Sequence, residues 1–200
     1  MPIYICEKCA REIGFYKNSI VPLDLPVELQ NFCDGILCVG KYSESLKESL
    51  RKFKFSNKPS YYRMFGKLLA LKVENTAQIA HFDIIVPVPL HISKQKQRGY
   101  NQAELIAEQV AKALEITCEK NLLIKSSATK SQSMLKKTER ILNLEDAFMV
   151  VNEKLIAKKN ILLIDDIVTT GSTVNQCCKV LKKAGAEKVI AGVIATTRNY

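Results

Sequence analysis

The chain has 200 residues, 47% hydrophobic and 25% charged, which suits one globular domain with a proper core and a small appendage. No uninterrupted apolar run approaches the roughly 18 residues of a membrane span, and the N-terminus lacks the basic-then-apolar order of a signal peptide, so a cytoplasmic protein is expected. Seven irregularly spaced cysteines, with Cys177 and Cys178 adjacent, exclude a secreted disulfide framework and read as reduced thiols, while a formal charge of +10 favours an anionic partner, either a phosphorylated substrate or nucleic acid, or else a solvated surface.

Cys6 and Cys9 open the chain as one Cys-x2-Cys knuckle. Structural zinc takes four ligands, so this is half a site: either a zinc knuckle, with Cys33 and Cys38 the nearest other thiols, or two free thiols in a short arm. Residues 14–30, broken by Pro22 and Pro26, read as a connecting segment lying against the main domain. Residues 35–42 have the glycine and lysine spacing of a nucleotide-binding phosphate loop, but Tyr42 stands where the magnesium-binding Ser or Thr belongs. The apolar run from Ile36 to Val39 predicts a buried strand instead.

Ser43 or Ser45 can cap a helix with Leu46, Leu50 and Phe53 on one face and Lys47, Arg51, Lys52 and Lys54 on the others. Pro59 precedes a second helix, about 60–73, with Met64, Phe65, Leu68, Leu69 and Leu71 as its core side. Residues 82–90 form a β-branched run ended by prolines. A basic loop with Lys94, Lys96, Arg98 and Gly99 follows, then a helix beginning near Asn101 with Leu105, Ile106, Val110 and Leu114 at helical spacing. Residues 122–124 read as a short strand and 147–151 as another. Between them, residues 126–140 are polar, basic and aperiodic, as functional or disordered loops are.

The residues 161–164 form an apolar run typical of a parallel-sheet strand buried on both faces, and Asp165 and Asp166 stand where that strand should end, at its rim. Ile167 and Val168 lead into a turn of Thr169, Thr170, Gly171, Ser172 and Thr173, then a helix over 174–184 closed by Gly185 and a last buried strand over 189–195. Backbone N–H groups, hydroxyls and the positive end of the helix dipole meet at 169–173, so the turn suits a phosphate. The two carboxylates repel phosphate but accept hydrogen bonds from sugar hydroxyls and can approach a divalent cation, so the stretch fits a phosphorylated ribose. Two other readings compete: a Ser-capped helix after a strand that happens to carry two acids, and the acid-ended strand of a nucleotide triphosphatase, which needs a phosphate loop elsewhere.

The stretch 161–173 resembles the 5-phosphoribosyl-1-pyrophosphate (PRPP) motif of type I phosphoribosyltransferases at every position. Val-Pro-Val-Pro-Leu at 86–90, Arg98-Gly99-Tyr100-Asn101-Gln102, Lys-Phe-Lys-Phe at 52–55 and residues 132–148 together look like the ComF (GntX-like) family linked to competence and DNA uptake, a likeness running from about Cys33 onward. It implies an α/β domain over 35–200, a mostly parallel sheet flanked by helices, after an N-terminal arm over 1–34. It further implies PRPP and magnesium as ligands: residues 169–173 on the 5-phosphate, Asp165 and Asp166 on the ribose hydroxyls and near the metal, and 91–98 with Arg98 on the pyrophosphate. Lys130, Lys136, Lys137 and Arg140 become cationic candidates of a mobile loop that closes over the substrate, or else belong to a solvated hairpin. As an enzyme, the protein would be a phosphoribosyltransferase with Asp165 and Asp166 as its catalytic acids, displacing pyrophosphate from PRPP with a nitrogen nucleophile. As a catalytically inactive adaptor of DNA uptake, it would use its basic helices, around 51–67, on single-stranded DNA or on competence proteins such as a DNA-translocating helicase. Members of that family carry several Cys-x2-Cys pairs in a zinc ribbon, whereas this chain keeps only Cys6 and Cys9.

Overall fold

A computed structural model describes residues 7–17, 19–25, 29–55, 59–76, 80–125 and 147–198, the side chains of residues 8–10 excepted. The elements in chain order are α1 (Glu7–Glu12), β1 (Gly35–Lys41), α2 (Glu44–Phe55), α3 (Tyr61–Glu74), β2 (Ile84–Pro87), α4 (Ile92–Arg98), α5 (Gln102–Leu114), β3 (Thr117–Cys118), β4 (Leu123–Lys125), β5 (Phe148–Val150), β6 (Asn160–Val168), α6 (Ser172–Lys183) and β7 (Lys188–Thr196). Five strands make one parallel sheet in the order β1-β7-β6-β2-β3, and β4 pairs antiparallel with β5 in a small second sheet.

Strand alternation sorts the apolar runs into two cores. Ile36 and Cys38, Ile161 and Leu163, and Val189 and Ala191 enter one core with Val174, Cys177, Cys178 and Leu181 of α6. Leu37 and Val39, Leu162 and Ile164, and Ile190 and Ile194 enter the other, against Leu50 and Phe53 of α2, Phe65 and Leu69 of α3, and Ile106 and Val110 of α5. The central strands thus have no solvent face, which is why their sequences show continuous rather than alternating hydrophobicity. Residues 35–41 are a buried strand, as the apolar run predicts.

Several expectations need correction. β6 does not end at the acids: its ladder with β7 continues through Asp165 opposite Val193, Ile167 opposite Ala195 and Val168 opposite Thr196. The β-branched pair after the acids prolongs the strand as long as β7 lies alongside. The segment with Lys94, Lys96 and Arg98 is a helix, α4, rather than a loop; His91 Nδ1 accepts the Ser93 N–H at 3.2 Å, and Gly99 at φ 81° ends it. Leu71 is 46% exposed, whereas the buried residues of α3 include Gly66, Ala70 and Val73 beside Phe65 and Leu69. At Gly66 a Cβ would fall 2.5 Å from Cβ of Gln109, so α3 and α5 approach through a missing side chain. α6 begins at Ser172, two residues before the expected start, and β3 has no periodic signal in its two residues.

Residues 13–17 and 19–23 lie along β1, bridging Phe15 to Gly40 and Val21 to Ile36, and cover an edge that would otherwise present unpaired backbone groups. Lys72, buried in α3, donates to the carbonyls of Tyr16 and Lys17 at 2.5 Å each; its burial lowers its pKa. At the other side of the sheet, buried Asn101 caps α5 by accepting the Ala103 N–H at 3.1 Å while its Nδ2 donates to the Val88 carbonyl at 3.1 Å. Asn101→Ala removes both bonds and should cost about 2 kcal/mol. A lower urea midpoint at unchanged slope would show it.

Candidate functional site

β6 carries the two acids to the carboxyl end of the sheet. Asp166 is buried, and Lys54 Nζ, from the last turn of α2, lies 2.8 Å from its Oδ2. Asp165 keeps a partly accessible side chain, and its Oδ1 accepts the Asp166 N–H at 2.8 Å. Burial, then the neighbouring Asp166 charge, pushes Asp165 up to about 7. A carboxyl raised in this way takes up a proton more readily than an ordinary one, and in that form it can donate as well as accept.

The turn expected to hold a phosphate follows directly. Gly171 adopts φ 76°, and a Cβ there would stand 2.9 Å from Leu25 Cδ2 and 3.1 Å from Leu23 Cδ1, so both conformation and space require glycine. Thr170 Oγ1 lies 3.1 Å from Ser172 Oγ and accepts the Ser172 N–H at 3.4 Å. Arg198 donates from Nε to the Thr169 carbonyl and from Nη2 to that of Thr170, each at 3.1 Å, and pairs through Nη1 with Asp24. It thereby ties down the carbonyls, the groups that would repel an anion. A shallow cavity of about 50 Å³ is lined by Asp165, Thr169, Thr170, Gly171 and Thr173 among others.

A wider cavity, about 450 Å³, is lined by Lys54, Phe55, Lys96, Gln97, Arg98 and Gly99. Here two separated stretches meet. The Arg98 guanidinium lies 5.0 Å from the centroid of the Phe55 ring, and its Nη1 donates to Gln102 Oε1 at 3.1 Å. Tyr100 OH donates to the Phe53 carbonyl, and the Phe53 ring packs at 5.8 Å from Tyr100 and 5.6 Å from Phe65. Lys-Phe-Lys-Phe at 52–55 therefore divides its roles: Phe53 anchors the helix end in the core, Lys54 reaches Asp166, and exposed Phe55 lines the cavity.

The structure thus places Asp165 and Asp166 near the carboxyl end of β6, a few residues before the turn and helix start at 169–173, and the cavity that Arg98 lines is lined also by Lys54, the partner of Asp166. Sequence reading missed Lys54, Arg198 and Lys125. Lys54 looked like part of a solvated basic face, and Arg198 follows the loop at a distance no local pattern spans. Lys125, the last residue of β4, is partly buried with its ammonium 5.2 Å from the Phe148 ring centroid; burial, then the charge of Lys94, lowers its pKa. The outer lysines of α2 are partly matched within the helix, Lys47 with Glu44 at 3.2 Å and Lys52 with Glu48 at 2.7 Å.

Cys6, the Cys9 side chain, Lys130, Lys136, Lys137 and Arg140 lie outside the described residues. Cys38 is a core thiol donating to the Gly40 carbonyl at 3.2 Å, and burial pushes it up to about 12, which disfavours the thiolate that zinc requires. Among the described residues no group of three or more His, Cys, Asp or Glu side chains could hold a metal ion. The two carboxylates nonetheless suit magnesium, which takes one or two carboxylates together with ligand phosphate oxygens and water. No helix among the described residues is long and apolar enough to cross a membrane.

Residues 101–200 match the phosphoribosyl transferase domain. Competence protein F of Haemophilus influenzae is 32% identical over 188 residues, covering 92% of this chain and 81% of its own length. The chain belongs to the competence protein F family. Competence protein ComFC of Bacillus subtilis is 31% identical, covering 91% of this chain and 73% of its own, and the DNA utilization protein YhgH of Escherichia coli is 29% identical at 92% and 87%. The glutamine PRPP amidotransferase from B. subtilis, solved with ADP and GMP, superposes with a TM-score of 0.50 at 21% identity, covering 72% of this chain and 30% of that enzyme. That likeness concerns the fold, which is of the type I phosphoribosyltransferase kind, as the motif at 161–173 implies. The domain match holds the acids and the turn, whereas Lys54 and Arg98 precede it; the similarity to competence protein F extends over most of the chain.

Proposed function

We propose that this competence protein F family member binds PRPP together with magnesium and transfers the phosphoribosyl group to a nitrogen acceptor. The observation that carries this reading is the sequence of chemistries along one rim: hydroxyls and a helix start at 169–173, two carboxylates next to them, and a cavity with Lys54, Lys96 and Arg98 beyond. A 5-phosphate suits the first, ribose hydroxyls the second and a diphosphate the third.

In the reaction the acceptor nitrogen donates its lone pair to the anomeric carbon while the C–O bond to pyrophosphate breaks and its electrons leave with that group. Positive charge develops on the ribose ring and negative charge on the leaving diphosphate. Asp165 and Asp166 face the first, and Lys54, Lys96 and Arg98 the second, so placement and electrostatics lower the barrier. Magnesium, when bound, neutralises phosphate charge and orients the diphosphate.

Calorimetric titration with PRPP, with and without magnesium, tests the reading. Saturable binding that depends on magnesium is the expected result, and an acceptor screen for pyrophosphate release then follows. Absence of binding in both conditions would overturn it. The names of the relatives, which concern competence and DNA utilization, would then direct the search to single-stranded DNA and protein partners.

A further inference from the structure

Lys54 belongs both to the acid pair and to the basic cavity. Its ammonium lies 2.8 Å from Asp166 Oδ2, and the same side chain lines the space that Lys96 and Arg98 enter. Both partners of the ion pair are largely shielded, with side-chain exposures of 21% for Lys54 and 8% for Asp166, so neither charge tolerates being left alone. Yet the pair occupies the carboxylate oxygen that a sugar hydroxyl or a cation would use. In this arrangement Asp166 is masked.

A diphosphate in the adjoining cavity offers the ammonium several negative oxygens in place of one carboxylate, and at such distances the larger charge prevails. The move needs no rearrangement of the fold. Phe53 is fully buried and fixes the last turn of α2, while the lysine stem rotates about its own bonds.

We infer that Lys54 is a two-position residue: it neutralises Asp166 while the cavity is empty and turns to a diphosphate when one enters, uncovering Asp166 for the ribose hydroxyls. The inference rests on the PRPP reading above and adds a specificity rule to it. A sugar phosphate lacking the diphosphate meets a masked Asp166 and binds poorly; one carrying it opens its own sugar site. Lys54 acts here as a positioning residue, through the carboxylate it releases.

The test uses inorganic pyrophosphate and ribose 5-phosphate in separate calorimetric titrations of the wild type, Lys54→Met and Arg98→Met. Lys54→Met should weaken pyrophosphate about tenfold, the loss of one charge-assisted contact, and at the same time tighten ribose 5-phosphate. Arg98→Met, which alters the cavity without touching Asp166, should weaken pyrophosphate and leave ribose 5-phosphate unchanged. Any result in which the two ligands do not move in opposite directions in Lys54→Met overturns the inference, because a merely structural lysine would weaken both. Should that variant fail to fold, Lys54→Gln carries the same comparison. A wild type that binds PRPP and pyrophosphate while Lys54→Met shows parallel losses refutes only the two-position role; a wild type that binds none of these ligands refutes the PRPP reading itself.

Discussion

Exchanging both carboxylates, Asp165→Asn with Asp166→Asn, is expected to lower PRPP affinity by about a hundredfold or more, since each charged hydrogen bond to a sugar hydroxyl contributes roughly 1.5–3 kcal/mol. The magnesium dependence should vanish with it. Calorimetry on the variant reads both effects, and retained magnesium-dependent binding would refute the placement of the ribose on these acids. The single exchange Asp165→Asn should move stability the other way. Asp165 is raised from 3.8 to about 7 by burial and by the Asp166 charge, so between those values the folded protein holds a proton that the unfolded chain has released. Stability from this group is therefore fully present below about pH 4 and declines as pH rises through 7. Asn has no such loss. Thermal midpoints from pH 4 to 8 should fall more steeply for the wild type than for Asp165→Asn, with the gap widening toward pH 7 and then levelling. Parallel profiles would show that the carboxyl ionises normally.

Phe53→Ala should cost about 3–5 kcal/mol, the range for emptying a fully buried aromatic site. The ring is 0% exposed and packs between Phe65 and Tyr100, from different helices and a helix start, so the surroundings cannot close over the gap from one side. Urea unfolding gives the number. A second consequence follows from position: Phe53 holds the turn from which Lys54 and Phe55 project, so pyrophosphate affinity should also fall although the ring lines neither cavity. Phe55→Ala supplies the contrast, because at 69% exposure its removal should leave the urea midpoint almost unchanged. Equal destabilisation by the two exchanges would contradict the division of that short stretch into anchor and cavity wall.

Those elements whose information is local could be read from the sequence. Residues 35–39, 161–164 and 189–195 announce buried strands because both of their faces are apolar, and the acids and hydroxyls of 165–173 stand close enough together for their chemistry to be recognised as one unit. What escaped depends on partners remote in the chain. The prolongation of β6 past Asp165 comes from the reach of β7, not from the acids themselves, which taken alone suggest a strand end. Leu71 is more apolar than Gly66, yet the close passage of α5 gives the core to the glycine. Lys54 carries no mark distinguishing it from Lys47 or Lys52 until Asp166 is placed beside it.

The segment crossing the start of α6 is gripped mostly through its main chain. Asn175 donates to the Gln30 carbonyl at 2.9 Å and accepts the Phe32 N–H at 2.8 Å, while Asn31 donates to the Leu23 carbonyl at 3.1 Å. Such holds read spacing rather than spelling. Replacing the Gln30 side chain leaves its carbonyl in place, but inserting or deleting one residue between Leu23 and Cys33 shifts several grips and lifts Leu23 and Leu25 from beneath Gly171. At Gln30 and Phe32 the hold thus constrains chain length more than side-chain identity, whereas Asn31, Leu23 and Leu25 are held by their side chains as well.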